Sequence, residues 1–199
     1  MKILKGQFKN RFNLFRDKKS TSGFTIIETM VAIFILTIAL TSLINLTARS
    51  LFAARYARNE ITANYLAQEA ADYIRNERDT IAFQKRFSGG SWNSFLNKFG
   101  LSGNQLCFST NGCYFGVNDS LATSIVSCSG ECPLLKYRDT GNSYYYYAPS
   151  GENSIFRRTV KMEMSSNPDE VYVTVTVSWN NGNAPKSKVL RFSLLKWLD

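Results

Sequence analysis

The stretch Gly23-Phe24-Thr25-Ile26-Ile27-Glu28-Thr29-Met30-Val31-Ala32-Ile33-Phe34-Ile35-Leu36 opens an apolar run that continues to about Ala48 with Glu28 as its single charge. As a helix rising about 1.5 Å per residue, the 25 residues from Phe24 to Ala48 reach roughly 37 Å, more than a bilayer core of about 30 Å. The stretch therefore reads as a membrane-spanning helix. An ordinary secretory signal puts its cleavage site after the apolar part. Here the basic run ending in Lys18-Lys19-Ser20-Thr21-Ser22-Gly23 comes first and the apolar residues follow.

Working outward to the N-terminus, Lys2, Lys5, Lys9, Arg11, Arg16, Lys18 and Lys19 stand against Asp17 alone. That leaves a net +3 of the chain's formal +9 for everything after Gly23. The basicity belongs to the leader, so it is poor support for DNA binding, which needs a basic stripe on the folded domain. Seven cations before the span, against Arg49, Arg55 and Arg58 just after it, put the N-terminus in the cytoplasm by the positive-inside rule and the bulk of the chain outside. Glu28 is the anomaly in this segment. A carboxylate in a hydrocarbon-facing helix costs several kcal/mol unless paired or shallow, so it is either a functional group or an interfacial residue at the first helical turn.

The residues quoted above also carry a resemblance. Gly23-Phe24-Thr25-Ile26-Ile27-Glu28, behind a short basic leader and ahead of about twenty apolar residues, resembles the processing motif of type IV prepilins. The resemblance implies cleavage between Gly23 and Phe24 by a membrane prepilin peptidase, N-methylation of the new Phe24 amine, and retention of the apolar helix. It makes Glu28 the fifth mature residue and the carboxylate used in filament assembly. The partners it implies are the peptidase, other pilin or pseudopilin subunits, an inner-membrane assembly platform and membrane lipid. Asn64 to Asn76 looks like the same region of PilV-type minor pilins and I-type secretion pseudopilins. Many major pilins have a proline within the membrane helix; this chain has none there.

Beyond the span, neither Gly nor Pro occurs from Phe24 through Ser88, and the helix is expected to run to about Arg78. Phe52, Tyr56, Ala63, Leu66, Ala70, Tyr73 and Ile74 form one apolar stripe, with Arg55, Arg58, Glu60, Asn64, Glu69 and Asp72 largely off it. The stripe is expected to pack on a sheet; a coiled coil is the alternative. Ser91 before Trp92-Asn93-Ser94-Phe95-Leu96, with Gly100 as the stop, reads as a short capped helix. Val171 to Trp179 alternates with its odd positions apolar, Asn180 to Asn183 reads as a turn, and Val189 to Leu194 and Ile155 to Met164 complete a three-stranded antiparallel meander.

The expected fold class is α+β: a long N-terminal membrane-spanning helix packed by its outer half on a small antiparallel sheet. The expected segments are a leader at 1–23, an assembly helix at 24–48, its extracellular continuation at 49–88 and a globular domain at 89–199. Cys107, Cys113, Cys128 and Cys132 in an exported domain read as disulfides rather than a metal site, since the spacings are not CxxC and the chain has no histidine. The Asn111-Gly112 turn allows a local bridge or longer ones. Of the three connectivities the reading leans to Cys107–Cys113 with Cys128–Cys132. The run Tyr144 to Tyr147 reads as strand and core, with a ligand platform as the alternative.

Absence of histidine, of a phosphate loop and of a G-x-S-x-G elbow makes an enzyme a poor reading, and no catalytic or cofactor-binding residue is expected. The leading class is structural: a minor pilin or pseudopilin subunit of a type IV pilus or type II secretion-like filament, first in the inner membrane and then extracellular or periplasmic. The alternatives are a tip-located binding module for DNA or a surface, and an anchored protein that never polymerises.

Overall fold

The computed structural model describes residues 23–88, 90–103, 105–116, 124–138, 144–147, 151–181 and 184–197. The leader before Gly23, and Gly182-Asn183 of the expected turn, lie outside the described residues. The chain divides into two compact units, residues 1–49 and 50–199. Helix α1, Ile26–Ser88, supplies residues to both.

In the first unit every described residue is exposed, and the helical segment is long and apolar enough to cross a bilayer by length and composition. Its hydroxyls bond to the helix's own carbonyls. Thr37 donates to Phe34 at 2.8 Å, Thr41 to Thr37 at 2.6 Å and Thr47 to Leu43 at 2.9 Å. Hydrocarbon holds no water to satisfy an O–H, so these internal bonds are what make Thr tolerable in such a span.

In the second unit α1 buries Ala63, Leu66, Ala67, Ala70, Ala71 and Ile74, with Tyr56 and Tyr73 packed at the margin. The spacing of three and four keeps these residues on one face. Ala67 and Ala71 join the stripe that the sequence indicated. Phe52 does not: it is 66% exposed, whereas Tyr56 one turn later meets the Trp179 ring at 6.4 Å between centroids. The apolar face of α1 thus begins to be covered where the sheet begins, at Trp179. The helix also ends ten residues past the expected Arg78, at Ser88, immediately before the Gly89-Gly90 pair.

Helix α2, Trp92–Lys98, starts as expected: the Ser91 hydroxyl accepts from the Ser94 amide at 3.2 Å. Gly100 closes it at φ +97°, and a Cβ there would stand 2.3 Å from the Leu106 amide nitrogen, so only glycine serves. Phe95, Leu96 and Phe99 are buried beneath it.

Among the described residues the sheet is antiparallel with seven strands, more than the three read from the sequence. Strands β5 (Glu152–Met164), β6 (Glu170–Asn181) and β7 (Ala184–Leu195) form the expected meander, with Val160 opposite Val175 and Val175 opposite Leu190. Val171, Val173, Val175, Val177 and Trp179 of β6 and Phe156, Val160 and Met162 of β5 enter the core, as strand alternation requires. The free edge of β5 is divided between two short strands. β1 (Cys113–Tyr114) pairs it at Val160, and β3 (Leu134–Arg138) pairs it from Arg157 to Glu152. β2 (Val126–Ser127) extends β1, and β4 (Tyr144–Tyr146) extends β3. The tyrosine run is structural at Tyr146 and Tyr147, which are consecutive buried residues rather than alternate ones. β4 stops at Tyr146, so Tyr147 lies outside the strand and is not held to its alternation.

Candidate functional site

At the start of α1 the sequence Thr25-Ile26-Ile27-Glu28 has capping-box spacing. Thr25 Oγ1 accepts from the Glu28 amide at 3.3 Å, and the Thr25 carbonyl accepts from the Thr29 amide at 3.2 Å. Thr25 is thereby the cap, and Gly23 and Phe24 stand outside the helix. Both are exposed, and among the described residues nothing lies within 4 Å of where a Gly23 Cβ would be. A peptide bond must be extended and reachable to enter a protease, and the Gly23–Phe24 bond is off the helix and open. Glu28 lies in the first turn, where unpaired amides favour a carboxylate. Its carboxylate has no hydrogen bond or ion pair among the described residues.

The four cysteines lie in the second unit and are bonded as Cys107–Cys113, Cα atoms 4.6 Å apart, and Cys128–Cys132, 4.9 Å apart. All four are buried. Both bridges fasten loops to the edge of the sheet. The Met162 amide donates to the Cys107 carbonyl at 2.8 Å, the Cys128 amide to the Gly112 carbonyl at 2.9 Å, and the Thr159 hydroxyl to Cys132 Sγ at 3.2 Å. No cluster of metal-ligating residues occurs among the described residues.

One residue of consequence went unmarked in the sequence. Arg158 occupies the core phase of β5 between Phe156 and Val160 and is 2% exposed. Its Nη1 contacts Glu69 Oε2 at 2.6 Å and the Leu66 carbonyl at 3.1 Å, and its Nη2 donates to the Phe115 carbonyl at 3.0 Å. The Phe115 and Tyr147 rings each lie 5.8 Å from the guanidinium carbon. The Tyr147 hydroxyl donates to the Arg158 carbonyl at 3.0 Å. Burial pushes the Tyr147 pKa up to about 12 against the opposing pull of Arg158. Tyr73 also rises to about 12, through burial and then the Glu77 carboxylate. The signal available in the sequence was a charge at an inward position of an alternating strand.

Residues 18–44 match the family model of the prokaryotic N-terminal methylation motif. No curated protein and no solved structure matches the chain. The match spans the Gly23–Phe24 junction, the capped helix start and Glu28, and the second unit seats a helix on an antiparallel sheet. The N-terminal motif and this α+β layout together support a type IV pilin-like protein.

Proposed function

We propose that the chain is a minor pilin or pseudopilin precursor, cleaved by prepilin peptidase between Gly23 and Phe24, methylated on the Phe24 amine, and assembled into a filament through Glu28. In this reading residues 1–23 are removed, 24–48 hold the subunit in the inner membrane, and 49–88 with 89–199 form the part outside. The cation excess before the span sets that orientation. Other subunits and an inner-membrane assembly platform are its partners. A structural subunit, rather than an enzyme, is what such a motif points to.

The observation that carries the reading is the arrangement at the helix start: an exposed junction outside the helix and, three residues past the Thr25 cap, a carboxylate without a partner among the described residues. After cleavage each subunit holds one cation at Phe24 and one anion at Glu28. A subunit shifted along the fibre sets its amine beside the Glu28 of a neighbour. In low dielectric that pair is attractive only when close, so it selects one axial register, whereas apolar packing supplies adhesion with little register. The test is the ratio of subunit in sheared filaments to subunit in membranes. Glu28→Ala and Glu28→Gln should both lower it sharply while leaving insertion and folding unchanged; an unchanged ratio for both would make Glu28 a shallow interfacial residue.

A further inference from the structure

The second unit begins at Ser50, two residues after the apolar run ends at Ala48. Arg55 and Arg58 follow Ser50 by five and eight residues, about 8 and 12 Å of helical rise. Near this start, α1 and the strands β3, β4 and β5 border an open groove of about 470 Å³. Arg55 and Arg58 line its helix side, and Tyr137, Tyr145 and Asn153 line its sheet side. Tyr137 and Tyr145 are cross-strand partners with ring centroids 5.3 Å apart. Lys136 Nζ donates to Asn153 Oδ1 at 2.6 Å, which leaves the amide N–H groups as donors.

Neither arginine has a side-chain hydrogen bond or ion pair among the described residues. Three other arginines of this unit are matched: Arg75 with Asp72, Arg78 with Asp79, Arg158 with Glu69. Burial and then Tyr137 raise the Tyr145 pKa, and Arg58 opposes the rise, so its charge acts on the same phenol. Side chains on a helix lean toward its N-terminus, which within this unit is the direction of Ser50. Two guanidinium groups with phenol and amide donors suit a phosphate, which arginine binds bidentately. Glu152 is the single acid among the groove's lining residues.

The extent of the positive lining selects the ligand. Past Thr62 and Tyr145 the surface continues into a second hollow of about 510 Å³, lined by Glu69 and Asp72. A nucleic-acid strand following the groove would meet those carboxylates, whereas a single phosphate would not. We propose that the Arg55–Arg58 groove binds the phosphate of an anionic phospholipid headgroup, taken from the bilayer that holds residues 24–48. The inference rests on the membrane reading of that segment. It gives the folded unit a contact with the membrane surface that is separate from the apolar helix.

The test offers the full chain, purified in detergent, equal concentrations of phosphatidylglycerol and phosphatidylcholine with matched acyl chains, and counts bound lipid by native mass spectrometry. The expected result is a preference for phosphatidylglycerol that falls by about tenfold or more in the Arg55→Gln/Arg58→Gln variant, the size that two arginine–phosphate contacts at a bilayer surface carry. Lys186→Gln/Lys188→Gln, which removes cations of β7 outside the groove, should keep the preference. Equal binding of the two lipids, or a preference unchanged in the double arginine variant, overturns the proposal. Arginine-dependent retention of an oligothymidylate without lipid preference also overturns it, in favour of nucleic acid. Alkaline extraction of cell membranes separates the two readings. A chain washed out defeats the membrane reading and this one with it, and a retained chain without lipid preference defeats this one alone. Because both arginines are exposed and have no partner among the described residues, the variants should keep the parent's circular dichroism, which checks that they fold.

Discussion

Arg158 on β5 reaches across the core of the second unit to Glu69 on α1, 2.6 Å from guanidinium nitrogen to carboxylate oxygen. The two residues are unequally placed: the arginine side chain is 3% exposed and the glutamate side chain 25%. Removing one partner of a buried pair leaves an uncompensated charge, and which partner is removed decides the cost.

Glu69→Ala strands Arg158 in the core and should destabilise the folded unit by about 3 kcal/mol. Combining it with Arg158→Met should recover part of that loss, because the buried charge goes as well. Thermal unfolding of the full chain in detergent measures both. A double variant less stable than Glu69→Ala alone would show that the bonds from Arg158 to the Leu66 and Phe115 carbonyls matter more than its charge.

The Tyr147 phenol, raised to about 12, gives a pH dependence of known sign. The unfolded chain loses this proton near pH 10 and the folded chain near 12, so the neutral phenol's contribution is complete below pH 10 and is lost as pH rises toward 12. Tyr147→Phe should lower stability at neutral pH by about 1 kcal/mol through the lost bond to the Arg158 carbonyl. It should also flatten the fall between pH 10 and 12, as read from unfolding midpoints across that window.

The disulfides close short loops, of sequence separation 6 and 4. Short loops restrict the unfolded chain modestly, about 2 kcal/mol for each bridge in the chain-entropy model. Peptide mapping without reductant on natively exported protein should return Cys107–Cys113 and Cys128–Cys132. Paired Cys→Ser substitutions should each lower the unfolding free energy by about that amount. Four alkylatable thiols would instead reopen a metal reading.

Processing is tested at Gly23. Among the described residues nothing lies near its Cβ position, so a larger residue there should leave folding of the second unit unchanged. Gly23→Leu should nevertheless block cleavage, since the residue before the scissile bond has to pass close to the peptidase. Intact mass in membranes containing an active prepilin peptidase should begin at Phe24 for the parent and at the unprocessed N-terminus for the variant.

What the sequence determined alone is local in range. The order of basic leader, Gly23-Phe24, Glu28 and apolar run is contiguous, so it could be read without a partner. The absence of Gly and Pro from Phe24 to Ser88 allows one long helix, although the expected end at about Arg78 fell ten residues short of Ser88. Alternation from Val171 to Val177 reports which side of β6 is apolar, and its pairing with β5 and β7 follows because short connections favour antiparallel neighbours. Tertiary structure decided the rest. β1 and β2 have two residues each, too few for alternation to show, and they exist as strands because β5 offers β1 an edge at Val160, far along the chain from Cys113. Phe52 and Tyr56 look alike in sequence, and only the position of Trp179 leaves one outside and covers the other. Arg158 and Glu69 are 89 residues apart, and a charge on an inward strand position has no meaning until the helix that supplies its counter-charge is packed against it. Periodicity states which faces must be covered; the covering residue is chosen by packing between distant segments, where burial and close distance give charges and rings their energies.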